Sequence, residues 1–409
     1  MKNTLTGVMP MEQMQFLLLM VSVFTVFIGY GIALPILPFL LETRFGGSTG
    51  FSVAFHTGML TGVFMFMLFF CAPIWGRLSD SIGRRPVIII GLGGSILALL
   101  LFGFAQQLWF AYLMRALGGA LASAVLPVSL AYITDSCFKE RRARRFAWMS
   151  ASATLGILVG PVAGGWLSSL VFWTSLTGFD ANSLPFLITG LLGFFVWILL
   201  FIKLDEPINT KPNSSHDIEK HTIKLNNPSN VLLILALLGM FALGSFEVGI
   251  ALQGQQILLL SPFQIGVLYM VCSVMMIIVQ VFLFSALISR FTFTQIISGA
   301  LLLMALGLII FPVVSRFEIV LLAVALIGLS SGVLVPILAF QASLSSEMSQ
   351  GRILGKQTAA GSLGQALGSV FAGVLFSIFT QAPFWFAASL LISGIFLGMR
   401  LRRIQPELN

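Results

Sequence analysis

Twelve long apolar runs constrain this chain more than any other feature, because each is long enough to cross the hydrocarbon core of a bilayer. A spanning helix needs about 20 apolar residues, and the runs lie at 14–41, 52–75, 86–107, 109–134, 146–170, 183–202, 229–252, 263–288, 293–314, 317–342, 357–380 and 382–399. Backbone groups cannot stay unpaired in lipid, and barrel strands would be shorter and alternating. Only 9% of the residues are charged, against about a quarter in soluble domains. We therefore predict an all-α membrane protein with twelve transmembrane helices.

The two halves of the chain repeat each other. Phe55 and Gly58 recur 208 residues later as Phe263 and Gly266. The same offset relates a second set, in which Arg144, Gly156, Gly160 and Gly165 recur as Arg352, Gly364, Gly368 and Gly373. Parallel membrane repeats place a binding site where the two halves face each other. We predict two pseudo-symmetric six-helix bundles, at 1–202 and 231–409, joined by a polar linker at 203–230.

The basic residues indicate the orientation. With the N-terminus inside, only Arg44 and Arg316 of the 22 Lys and Arg residues fall outside, and Arg115 lies within the membrane. This distribution satisfies the positive-inside rule and predicts cytoplasmic termini, a cytoplasmic linker and a basic loop at 139–145 between helices four and five. The net charge of +8 suits anionic lipid headgroups and does not indicate nucleic-acid binding. We expect a multi-pass protein of a bacterial plasma membrane.

A short charged loop separates helices two and three. It contains Arg77, Asp80, Gly83, Arg84 and Arg85, and Gly83 permits a sharp turn. This loop resembles the signature loop of the major facilitator superfamily. The resemblance implies a cluster, completed by Asp135 at the end of helix four, that latches the two halves when the cytoplasmic side is closed. The alternative is that these charges only fix the topology.

Helix five has glycines on one face. Gly156, Gly160 and Gly164 are four residues apart, which allows close helix packing, and Pro161 bends the helix. With Gly165, this segment resembles the antiporter signature of the superfamily; the alternative is tight packing without directional meaning.

Helix one carries a second pattern of this kind. Gly29, Pro35 and Pro38 resemble the signature of the twelve-helix drug:proton antiporter branch, which includes tetracycline and multidrug exporters. The prolines interrupt the hydrogen-bond ladder and predict a bent helix that lines a cavity.

Two ionisable residues lie inside apolar runs, where charges are costly and usually functional. Arg115 resembles a family element implicated in proton coupling; because arginine does not release its proton, we expect it to tune an acid or bind an anion, unless it only extends to the outer surface. Glu247 is the candidate proton carrier, since burial favours the neutral form of a carboxyl group and a nearby cation favours its ionised form. Its alternative is a carboxyl group that reaches the headgroup layer. We hypothesise that Arg115 and Glu247 approach one another in one conformation.

The sequence thus predicts a proton-coupled exporter of a small amphipathic compound, either a drug or an endogenous metabolite such as a siderophore, that works by alternating access. The expected cavity residues are Phe24, Phe27, Tyr30, Phe241, Phe246, Phe340 and Gln341. The alternatives are an uptake symporter for a small nutrient and, from another class, a non-transporting membrane receptor. No metal set, nucleophile motif or phosphate loop is recognisable. We therefore expect no enzyme activity and no cofactor beyond the proton gradient. The expected partners are substrate, protons and lipids, and the expected state is a monomer.

Overall fold

The computed structural model of the chain describes residues 13–46, 51–137, 139–170, 180–207, 228–344 and 350–404. Within these ranges, twelve helices are long and apolar enough to cross a membrane, and no strand is present. The prediction of an all-α chain with twelve transmembrane helices is confirmed.

We number the helices α1 to α12 along the chain. The first six are α1 (Gln13–Phe45), α2 (Val53–Ile82), α3 (Arg84–Gly103), α4 (Leu108–Ser136), α5 (Lys139–Ser168) and α6 (Leu184–Lys203). The second six are α7 (Pro228–Gln256), α8, α9 (Phe293–Ile310), α10 (Phe317–Leu344), α11 (Gln350–Ile378) and α12 (Ala382–Ile404). Helix α8 has three consecutive segments, namely Pro262–Ile278, a π-helical turn at Val279–Leu283, and Phe284–Arg290.

Several helices extend beyond the predicted apolar runs. Helix α2 continues to Ile82, so Gly83 alone separates it from α3. Helix α5 begins at Lys139, which corrects the expectation of a basic loop at 139–145, because this stretch is the first part of a helix. Lys, Arg and Glu are good helix formers, so a charged stretch outside the apolar core can continue a spanning helix.

The chain divides into two compact units. The N-terminal unit comprises Met1–Ala33 and Met67–Glu219, and the C-terminal unit comprises Leu34–Phe66 and Lys220–Asn409. The predicted bundles at 1–202 and 231–409 remain a prediction, and the compact units differ from them in grouping Leu34–Phe66 with the second half of the chain. The boundary in α1 falls beside Pro35, one of the two prolines inside that helix.

The N-terminal unit has a continuous apolar core between its helices. Its most buried members include Val23, Leu92, Val125, Met149 and Leu200, each at most 1% exposed. Close packing of α3 on α4 depends on Gly91, because a Cβ atom there would lie 2.7 Å from the Cβ of Ala124.

The C-terminal unit is centred on α7. Three aromatic rings, from Phe246, Phe311 and Phe384, pack in series with centroid distances of 5.7 and 5.1 Å, and none is more than 1% exposed. Gly249 makes room for this stack, because a Cβ atom there would lie 2.6 Å from Phe384 Cε1. The N-terminal part of α2 also packs in this unit, where Gly58 and Gly373 place two helix backbones in direct contact.

Candidate functional site

The buried acid Glu247 lies within α7, in the C-terminal unit, with 9% of its surface exposed. Its Oε2 atom accepts a hydrogen bond of 2.8 Å from Nε2 of Gln365 on α11. The Tyr269 hydroxyl on α8 donates to the Glu247 backbone carbonyl. The acid is therefore connected to two neighbouring helices through uncharged groups.

Glycines bring α11 close enough to α7 for this bond to form. Gly244 precedes Glu247 by one turn, and a Cβ atom there would collide with the backbone oxygen of Gln365. On the same contact, a Cβ atom at Gly368 would collide with the Phe241 carbonyl. The Ser245 hydroxyl donates to the Gly368 carbonyl at 3.1 Å. The Glu247–Gln365 bond thus depends on a backbone-to-backbone approach that larger residues would prevent.

The buried cation Arg115 lies on α4, in the N-terminal unit, and is 3% exposed. Its guanidinium carbon is 5.4 Å from the ring centroid of Phe102. Phe102 is in turn held edge-on against Phe186, with the ring centroids 5.4 Å apart. A cation over an aromatic face is stabilised by the ring quadrupole, more strongly when water is excluded. Arg115 is thus packed inside its unit and does not extend to an outer surface.

The glycines of helix α5 pack against α1. A Cβ atom at Gly156 would lie 2.8 Å from Phe27 Cβ, and one at Gly160 would lie 2.9 Å from Gly31 Cα. A Cβ atom at Gly31 would in turn lie 2.9 Å from Pro161 Cδ. Gly164 and Gly165, one turn further along α5, are also buried. The predicted close-packing face is present, and α1 is its partner.

The charged α2–α3 turn contains a network centred on Arg84. Its side chain contacts Asp80 Oδ1 at 2.5 Å, Asp135 Oδ2 at 2.9 Å and Ser79 Oγ at 2.6 Å. Asp135, the acid expected to complete this cluster, is therefore in contact with Arg84. Arg77 is exposed and makes no contact described for this network.

A second acid, which the sequence analysis assigned only to the linker, completes this network. The two carboxylate oxygens of Glu206 accept bonds from the backbone N–H groups of Arg84 and Arg85, at 2.6 and 2.9 Å. A carboxylate in this place satisfies free N–H groups at the start of α3 and favours the helix dipole. Gly83 has a φ of +104°, and a Cβ atom there would lie 2.7 Å from Glu206 Oε1. The turn therefore requires glycine on both conformational and steric grounds.

The preceding residue, Asp205, connects the start of the linker to two other helices. Gln15 on α1 donates to Asp205 Oδ2 at 2.8 Å, and the Tyr132 hydroxyl on α4 donates to its carbonyl at 2.7 Å. Sequence reasoning missed Asp205 and Glu206, although two acids directly after an apolar run and opposite a basic loop were an available signal. The part of the linker at 208–227 lies outside the described residues.

The predicted cavity residues differ in their surroundings. Tyr30, Phe241, Phe246 and Gln341 are buried, whereas Phe24 and Phe27 are partly buried and Phe340 is 39% exposed. Phe246 packs in the ring stack described above, and Phe241 packs against Phe371 and Phe386 at centroid distances of 5.9 and 6.0 Å. Their role as cavity residues remains a prediction.

Comparisons with known proteins agree with this architecture. The family model described as Major Facilitator Superfamily matches residues 19–346 and 250–409. The chain is 27% identical over 393 residues to Multidrug resistance protein 2 of Bacillus subtilis (strain 168), with 94% of each chain covered. It is 24% identical over 397 residues to Quinolone resistance protein NorA of Staphylococcus aureus (strain Mu50), covering 97% of this chain and 98% of the relative.

A solved structure gives the same fold at lower sequence identity. It is a bacterial homolog of the human lysosomal transporter Spinster in an inward-facing, unoccupied conformation, with a TM-score of 0.75, 14% identity and 96% of each chain covered. Twelve spanning helices, the charged α2–α3 turn and a family model that matches most of the chain lead to one conclusion. This multi-pass membrane protein belongs to the Major Facilitator Superfamily, a family of membrane transporters.

Proposed function

We propose that this protein is a proton-coupled exporter of small amphipathic compounds in the plasma membrane of a bacterium, with both termini in the cytoplasm. The observation that carries the proposal is the buried Glu247 carboxylate, which accepts a hydrogen bond from the neutral amide of Gln365 at 2.8 Å. The relatives named for multidrug and quinolone resistance support export as the direction of transport.

The chemistry of Glu247 suits a proton carrier. An ionised carboxylate is costly to bury unless it is paired or well hydrogen-bonded, and the neutral amide of Gln365 brings no positive charge to it. Protonation removes that cost and leaves an oxygen that still accepts from Gln365. Small changes in the surroundings of Glu247 during alternating access therefore shift the balance between the two forms.

Arg115 is the second proton-coupling residue of the proposal. Held over the Phe102 ring, its fixed charge contributes to the electrostatic environment of the transport path. The proposed pairing of Arg115 with Glu247 remains a prediction, since the two residues belong to different compact units.

The network around Arg84 is proposed to act as the cytoplasmic latch. Asp80, Asp135 and Glu206 hold the α2–α3 turn in one geometry within the N-terminal unit. A turn that is fixed in this way can present Arg77 and Arg85 to the other half of the transporter in one stage of the cycle.

The test uses purified protein in liposomes with an acidic interior and an internal pH-sensitive dye. An external quinolone or amphipathic fluorescent dye is added as the transported probe. Antiport predicts that the probe enters while protons leave, so that the gradient dissipates faster. We expect Glu247→Gln to reduce this probe-dependent proton release at least tenfold.

The matched control is Glu42→Gln. Glu42 also accepts a hydrogen bond from the side-chain amide of a glutamine of the same unit, Gln255, at 2.6 Å, but Glu42 is exposed. It should keep most of the transport activity. Probe-driven proton movement that is unchanged in Glu247→Gln would refute the coupling role, and protons moving in the same direction as the probe would indicate a symporter.

A further inference from the structure

A cavity of about 230 Å³ lies inside the C-terminal unit, between α7, α9, α10 and α11. Its walls are mainly apolar and include Met240, Leu243, Met304 and Leu338. None of the described residues that line it is charged. The flexible side chains of Met240 and Met304 adapt to ligands of different shape, so this wall suits apolar groups of more than one shape.

One polar group in the cavity wall has no hydrogen-bond partner among the described residues. Gln357 on α11 lines the cavity and is 9% exposed, and its Oε1 atom is buried without a hydrogen-bond partner among the described residues. Ser331, another lining residue, already donates its hydroxyl to the Ile327 carbonyl at 2.9 Å. Buried amide oxygens are almost always hydrogen-bonded, because leaving one unpaired costs free energy. The missing group is therefore a hydrogen-bond donor.

We propose that this cavity binds an uncharged apolar group of the transported compound, and that Gln357 determines specificity by accepting a hydrogen bond from an N–H or O–H on that group. The inference rests on the proposed function for its transport role. The proposal restricts the substrate class to compounds that carry an aromatic or aliphatic group with a hydrogen-bond donor attached to it. A charged part of the same compound lies elsewhere, since this wall offers it no counter-charge.

The volume of the cavity fits one chemical group of the transported compound but not a whole drug molecule. At the packing density of protein interiors, it holds about ten to fifteen non-hydrogen atoms, roughly one bicyclic ring system. Pockets that enclose an entire drug-sized ligand are larger, at about 300–1,000 Å³. A lipid acyl chain would fill the apolar space but would bring no donor to Gln357.

The experiment measures binding directly, without a pH gradient. The probes are 2-naphthol and 2-methoxynaphthalene, which share a ring system and differ in the donor. Each is equilibrated by dialysis between purified protein in detergent and matched empty micelles. We expect the wild-type protein to bind 2-naphthol about tenfold more tightly, and we expect Gln357→Leu to bind both probes equally.

A second pair of variants tests the location of the site. Gly361 lines the cavity, and a Cβ atom there would have only Met240 within 4 Å, at 3.2 Å, so Gly361→Leu should fill the space and weaken both probes at least tenfold. The matched control is Gly355→Leu on the same helix, where a Cβ atom would meet nothing within 4 Å. It should bind as the wild type does. Gly361→Ala provides a milder filling variant if the leucine variant does not fold.

Three results would overturn the proposal. Equal binding of the two probes to the wild type would mean that water, and not a ligand donor, satisfies Gln357. A naphthol preference that persists in Gln357→Leu would remove this residue from the site, and binding unaffected by both Gly361 variants would remove the cavity. Because no proton gradient is used, a failure of proton-coupled export would leave these binding results unchanged, so the two failures can be distinguished.

Discussion

The contact between α1 and α5 and the contact between α7 and α11 both bring helices close together at glycines, but they carry different side-chain chemistry. Both use glycine where the helices touch, with Gly31, Gly156 and Gly160 in the N-terminal unit and Gly244, Gly364 and Gly368 in the C-terminal unit. The α5 and α11 positions are related by 208 residues, whereas Gly31 and Gly244 are 213 residues apart.

The two contacts differ in the side chains that lie within one turn of these glycines. The C-terminal contact contains the Glu247–Gln365 hydrogen bond. At the corresponding offsets, the N-terminal half has Leu34 and Ile157. The repeat therefore preserves the steric requirement of close packing in both halves, while the pair of a carboxyl group and its amide donor is present in one half. Glycine at these positions serves helix packing, and the polar pair is the feature to which we assign the proposed proton coupling.

The largest expected effect tests whether the two contacts are equivalent. Gly364→Ala would place a methyl group against the backbone of Leu237, and Gly156→Ala would place one 2.8 Å from Phe27 Cβ. Each should destabilise the protein by about 2–3 kcal/mol, because a helix backbone has to move. The measurement is thermal or chemical unfolding in detergent.

The controls for this prediction are Gly299→Ala and Gly355→Ala, both at helical positions where a Cβ atom meets nothing within 4 Å. They should be neutral or stabilising by up to about 1 kcal/mol, since alanine is the better helix former. Destabilisation by only one of the two contact variants would show that the halves do not share this packing.

The second prediction concerns the polar pair that distinguishes the halves. Gln365→Leu removes the amide donor of Glu247, and hydrogen bonds to charged groups contribute about 1.5–3 kcal/mol. Proton-coupled transport should therefore fall about tenfold or more in the liposome assay. Gln255→Leu, which removes the corresponding donor from the exposed Glu42, is the matched variant and should have a small effect. Similar losses in both would contradict a special role for the buried pair.

The smallest expected effect concerns a glycine that is needed for its backbone conformation and not for contact between helices. Gly83 has a φ of +104°, whereas Phe291, at the corresponding position 208 residues later, has a φ of −129°. Gly83→Ala should cost about 1–2 kcal/mol, because an L-residue is strained in this backbone region. Thermal unfolding measures the change, with Phe291→Ala as the comparison in the other half.

A double variant sharpens this test. Glu206→Gln removes the charge that caps α3 and should cost about 1 kcal/mol. Because the Cβ atom of an alanine at position 83 would contact the Glu206 carboxylate, the two changes should not be additive. Strictly additive losses would mean that Glu206 does not hold the turn. Glu318→Gln, in the exposed first turn of α10, controls for loss of an acid near a helix start.

Sequence periodicity was sufficient for the fold but only partly for the site. The twelve spans followed from apolar length and the α5 glycines from their spacing, whereas the cluster of Arg84 and Asp135 followed from the resemblance to the signature loop of the superfamily. The partners Gln365, Phe102 and Glu206 were not identified, because each lies in a different segment of the fold from the residue that it contacts. Spacing along a helix predicts which residues share a face, but it does not predict which residue of another helix that face meets.

By itself, the sequence determined that the chain spans a membrane with twelve helices, since apolar runs of this length are stable only in lipid and their backbone groups must be paired within each helix. It also determined which residues are small enough for close packing and which charges lie at membrane depth. Tertiary structure alone decided that Glu247 accepts a bond from Gln365, that Arg115 lies over Phe102, and that Glu206 caps α3. The physical reason is that these interactions join separate helices, whose rotation and depth are set by the packing of complete surfaces.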